Sequence, residues 1–93
     1  MSKPAWTPGP WNTEAGDSVI NVLHGTERVA ATNTKPYWKK YDERDVANAR
    51  LIAAAPELYE ALKAFMFADG HDDFEDEWPA ARAAIAKAEG RQP

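Results

Sequence analysis

The chain reads as an α+β domain, a small three-stranded antiparallel meander followed by two or three helices packed on one face. Three observations predict this. Residues 18–23, Ser-Val-Ile-Asn-Val-Leu, are rich in β-branched side chains and lie between turn residues. From Leu51 to Phe65 the large apolar residues step by four, three, four and three, which is the helical period. All strand-like segments precede all helix-like ones, and that order gathers the helices on one face of a sheet.

Residues 1–9 hold Pro, Gly, Ser and Lys and read as a flexible arm, although the Trp6 ring could tuck down. A single domain is expected over residues 10–90, with the meander at 10–33. Its first strand is short. Residues 14–17 supply a turn, and residues 18–23 form the second strand, with Ile20 and Val22 on one face and Val19, Asn21 and Leu23 on the other. His24, Gly25 and Thr26 turn the chain, and residues 28–32 return. Helix is expected over 42–68, as one kinked helix or a helix pair. Asp42 is the N-cap, and Glu43 and Asp45 in the first turn suit the helix dipole. Leu51, Ala55, Leu58, Leu62 and Phe65 form the stripe expected to face the core, widened by Ile52, Tyr59 and Met66. Pro56 lacks an N–H and disfavours helix at Ala55. Either the helix kinks there or a very tight break lets Pro56 open the next one. On this reading Leu58 and Leu62 are buried, and replacing either by Ala costs roughly 2–5 kcal/mol. Residues 69–77 form an acidic linker, and a last helix spans 78–89, with Trp78, Ala81, Ile85 and Ala88 on one face. Trp11 and Trp78 are expected in the core.

With 93 residues the chain is one small domain. The hydrophobic fraction is 44%, but much of it is alanine, which buries little area at roughly 25 cal/mol per Å². A core so built invites completion by a second copy, so a homo-oligomer is expected. There is no cysteine, which removes disulfides, thiolate metal sites and a Cys nucleophile. No apolar leader and no run of the roughly 20 apolar residues needed to span a bilayer is present. A soluble, intracellular protein is expected. The net charge of −4 disfavours nucleic acid as a partner, because such binding runs on Lys and Arg neutralising phosphates.

Residues 35–44 form the main candidate surface. Lys35, Lys39, Lys40 and Arg44 are interleaved with Tyr37, Trp38 and Tyr41 on a connector that runs into a helix start. Aromatic faces stack on bases, cations pair with phosphates, and helix N-termini favour anions. A small nucleotide would find its contacts there, with Asn48 on the adjoining helix edge. The plainer alternative is that Trp38 and Tyr41 cap the core while the lysines are solvated, and that Asn48 is structural. The acidic residues from Asp69 to Glu77 could imitate a phosphate backbone or could simply be a solvated linker. No calcium-loop pattern occurs. His24 and His71 form no pair, and no phosphate loop, nucleophile elbow or zinc spacing is found. The chain therefore reads as non-enzymatic, with no metal and no cofactor.

The segment Asn-Ala-Arg-Leu-Ile-Ala-Ala-Ala-Pro-Glu-Leu, residues 48–58, the start Gly9-Pro10-Trp11 and the strand pair Val29-Ala30 together resemble a family of small bacteriophage and prophage proteins of unassigned function. The resemblance implies a phage-encoded protein, and small non-catalytic phage proteins often antagonise host defence by stoichiometric binding. Taken with the aromatic and basic surface at 35–44, it leaves two functions in the host bacterial cytoplasm. The leading one is a homo-oligomer that sequesters a small nucleotide immune signal through Lys35, Tyr37, Trp38, Lys39, Lys40, Tyr41, Arg44 and Asn48. The other is direct inhibition of a host defence protein, in the manner of an anti-CRISPR, through the acidic face or an exposed Trp. A pocket around Trp38 and the lysines favours the first, and a flat face favours the second.

Overall fold

The computed structural model describes residues 5–36, 38–66 and 77–91. Three strands come first, β1 (Asn12–Ala15), β2 (Ile20–His24) and β3 (Glu27–Thr32), and then three helices, α1 (Glu43–Ala53), α2 (Ala55–Met66) and α3 (Glu77–Ala88). The sheet is antiparallel in the order β1-β2-β3, the meander that the sequence predicts. Gly25, at φ 62°, makes the tight turn between β2 and β3, a backbone region that suits glycine. A register shift between Val22 and Leu23 bulges the second pairing. Alternation along β2 turns Ile20 and Val22 inward, and both are buried.

The inner face of the sheet is covered by α1. Ile20, Val22, Ala49 and Ala53 form the buried cluster, with Trp11, Val29, Ala30, Tyr41, Val46 and Ile52 packed around it. The expectation that Trp11 joins the core holds. Its indole N–H donates to the carbonyls of Thr7 and Pro8 at 3.2 and 3.1 Å. The start of α1 is fixed by a capping box. The Asp42 carboxylate accepts from the Arg44 and Asp45 N–H groups, while the Asp45 carboxylate accepts from the Asp42 N–H at 3.0 Å. Asp45 is fully buried yet well served, since it also accepts from the Thr34 N–H at 2.7 Å, and its carbonyl accepts from the Thr32 hydroxyl at 2.8 Å. This one residue joins the sheet, the connector and the helix.

At Pro56 the tight break is the observed solution. Ala54 alone separates the helices, and Pro56 falls in the first turn of α2, where its missing N–H costs nothing. Helix α3 packs against α2 and α1, and Lys87 Nζ meets Glu57 Oε2 at 3.0 Å between α3 and α2.

Two expectations need correction. The stripe assigned to the core faces away from it. Leu62 is 65% exposed and Leu51 56%, while Leu58 is only half-buried. The buried apolar residues of the helical layer are instead Ala49, Ala53, the linking Ala54, Ala61 and Ala84. The cause is close approach. For Thr32 and Thr34 to bond Asp45, α1 must lie near the sheet, and methyl groups permit this where leucines do not. Trp78 is likewise not a core residue. It is half exposed, edge-on to Phe65 at 5.3 Å between centroids. The proposed linker at 69–76 lies outside the described residues, and Glu77 belongs to α3.

Candidate functional site

The connector between β3 and α1 is held by its own polar groups. Asn33 donates to the carbonyls of Ser18 and Lys39 and accepts from the Lys35 N–H. The Lys39 N–H closes a turn on the Pro36 carbonyl at 2.9 Å. Lys35 Nζ lies 2.6 Å from the Asp42 carboxylate and also reaches the Thr34 hydroxyl. That ammonium, helped by backbone N–H groups and opposed by partial burial, holds the Asp42 carboxyl below the ordinary carboxylate range. For Asp45, burial pushes upward, but the N–H groups of Asp42 and Thr34 outweigh it and the carboxyl is also lowered.

These bonds decide what the predicted surface can do. The α1 N-terminus already carries two carboxylates of its own chain on its free N–H groups, and Lys35 is engaged with one of them. Of the donors expected to receive a phosphate, the Lys35 ammonium and the N–H groups of Asp42, Arg44 and Asp45 are therefore in use. Trp38 is 70% exposed, with Lys39, Lys40 and Arg44 exposed near it. Tyr41 turns down onto the core cluster, and Asn48 faces outward on α1. Tyr37 lies outside the described residues. The described part of the platform is a braced surface with an exposed indole, and neither of the two pockets described below involves it.

The larger pocket lies elsewhere. The arm, α2 and α3 enclose a cleft of about 820 Å³, within the range of ligand sites. Gly9 lets the arm pass over α2, since a Cβ there would stand 2.7 Å from Pro56 Cβ. Trp6 sits edge-on to Tyr59 at 5.1 Å and forms an aromatic corner. Lys63 Nζ lies 5.7 Å from the Tyr59 ring centroid. Glu57 and Glu60 line the same space, over a floor that includes Ala61 and Ala84. A smaller pocket of about 180 Å³ beside Lys87 takes in Arg50, Asn12 and Thr13. Among the described residues no cluster could hold a metal ion, and no helix is long and apolar enough to cross a membrane.

The model of one protein family, described as Salmonella phage P22 protein Y8K6, matches residues 1–92. The chain belongs to that phage family. No curated protein and no solved structure matches it.

In this phage protein the segments that carried the resemblance meet in space. Gly9 of the Gly-Pro-Trp start lies on Pro56 of the alanine-rich segment, and Trp11, Val29 and Ala30 pack against the cluster that holds Ala49 and Ala53. The cleft residues Glu57, Tyr59 and Glu60 escaped the sequence reading of the site. The available signal was the small residue at Gly9 together with the alanines of the last helix, which leave room where two elements cross.

Proposed function

We propose that this phage protein is a non-enzymatic binding protein that antagonises host antiviral defence by docking directly on a host defence protein. The observation that carries the reading is Trp38, 70% exposed on a connector braced by Asn33, Asp42 and Asp45. Trp, Tyr and Arg dominate the energetic centres of protein interfaces, and a braced loop loses little freedom on binding. The engaged helix N-terminus favours a protein over a small anion.

The reading includes self-association. Ala55, Leu62 and Met66, spaced by seven and four, form an outward stripe on α2, with Leu62 65% and Met66 73% exposed. A second copy laid along this stripe buries it by symmetry. Sedimentation is expected to give a dimer or larger, and a 10.3 kDa species at micromolar concentration removes this part.

Native mass spectrometry of protein purified from infected cells tests the main reading. A host protein should be retained in fixed stoichiometry. Trp38→Ala should lose it and should lower phage plating on a defended host, with unchanged circular dichroism. Full antagonism by the folded Trp38→Ala protein would refute the proposal.

A second reading, sequestration of a small nucleotide immune signal, draws on the same exposed indole beside Lys39 and Lys40. Stacking is worth roughly 1–3 kcal/mol per base, so Trp38→Ala should weaken such binding about tenfold. Calorimetric titration with cyclic and linear nucleotides decides it.

A further inference from the structure

We propose that the cleft between the arm, α2 and α3 receives an arginine side chain carried by a protein partner. The site is separate from the Trp38 platform and does not depend on it.

The strongest observation is Glu57. Its Oε2 is paired with Lys87, but its Oε1 is buried and finds no hydrogen-bond partner among the described residues. A buried acceptor without a donor is costly, and native structures rarely leave one. Glu57 lines the cleft, so a small turn of its carboxylate would bring Oε1 to a donor entering there. Glu60 adds a second carboxylate to the same lining.

The remaining walls suit a cation with an apolar stem. Trp6 is 47% exposed and Tyr59 43%, and aromatic faces attract ammonium and guanidinium groups. Tyr59 already has one such neighbour in Lys63. Lys63 is the cation on the lining itself, and Lys87, on the Glu57 side, is committed to Oε2. The alanine methyls of Ala61, Ala80 and Ala84 offer packing to methylenes and no competing polar group. Guanidinium matches best, because its planar fork of donors can serve Glu57 Oε1 and a second acceptor while its face lies on a ring. A protein source follows from the lining. Pro8 and Pro10 of the arm give an apolar surface on which a backbone can lie.

The test is an NMR titration of the full chain with three probes: a blocked Gly-Arg-Gly peptide, the same peptide with neutral citrulline for arginine, and free agmatine. The arginine peptide should shift the Trp6 indole and the Ala61 and Ala84 methyl signals saturably in the millimolar range. Citrulline should leave them in place. Glu57→Gln should weaken the arginine peptide about tenfold, as expected for losing a charged hydrogen bond. Because that variant also disturbs the Lys87 pair, Glu60→Gln is made beside it and should weaken binding by a smaller factor with the fold unchanged. Trp38→Ala should bind as the unmodified chain does. Absence of saturable shifts, equal binding of the citrulline peptide, or unchanged affinity in both Glu variants would overturn the proposal. Tighter binding of agmatine than of the peptide would overturn the protein source.

Discussion

The reversed helical layer makes an unusual prediction about single substitutions. In most small domains a leucine on the apolar stripe of a helix matters more than an alanine. Here Leu62 is 65% exposed, so about a third of it is covered, whereas Ala49 is fully buried against Ile20 and Val22. Truncating a fully buried leucine costs roughly 2–5 kcal/mol, and a third of that, with no closed cavity left behind, is about 1 kcal/mol. Enlarging Ala49 to Leu forces added carbons into filled space between α1 and the sheet, at about 1–3 kcal/mol or more. It also pushes α1 away from the hydroxyl and N–H groups that bond Asp45. Ala49→Leu should therefore destabilise the chain more than Leu62→Ala. Urea unfolding followed by tryptophan fluorescence, at two protein concentrations, measures both. If a second copy covers Leu62, its truncation should matter more at the higher concentration, while Ala49→Leu should cost the same at each. A loss above about 2 kcal/mol for Leu62→Ala, independent of concentration, would mean that the chain buries this leucine by itself and would refute the reasoning. So would a neutral Ala49→Leu.

Other substitutions read single contacts. Gly9→Ala places a Cβ 2.7 Å from Pro56 Cβ, so the arm must lift; a loss of about 1–3 kcal/mol in thermal or urea unfolding is expected, with changed signals for Trp6 and Tyr59. Thr32→Val keeps the shape but removes the donor to the Asp45 carbonyl, and should cost about 1 kcal/mol by the same assay. The Asp42 and Asp45 carboxyls are both lowered in the folded chain. A lowered folded value means stability that is fully present above the ordinary carboxylate range and is lost as pH falls through the folded value. Stability measured from neutral pH downward should thus fall on the acid side, and Asp45→Asn should be less stable at neutral pH with a flatter acid limb. An unchanged limb in that variant would remove Asp45 from the linkage.

Much of the architecture was legible along the chain because its causes are local. Alternation over residues 18–23, with turn residues on either side, suffices for a strand with Ile20 and Val22 on one face. Asp42, with Glu43 and Asp45 in the first turn, suffices for a helix start, while Pro56 alone left a kink and a break both open. The candidate site was less legible. The aromatic and basic residues of 35–44 could be listed from the sequence, but whether the α1 N-terminus was open depended on Thr34, Lys35 and the two aspartates meeting across the connector.

The sequence by itself determined the order and type of the elements, which strand residues share a face and the cap of α1. Only the tertiary structure decided which faces of the strand and the helices are buried and where a cleft opens. The period of an apolar stripe shows that a helix has two unlike faces. Which one turns inward depends on the distance to the opposing layer, a property of both surfaces together. Here Asp45, bonded to Thr32 and Thr34, brings α1 close to the sheet, and at that distance the alanine face fits. The leucines are left outside, and the arm, passing over Pro56 at Gly9, closes a cleft whose residues are far apart in the chain.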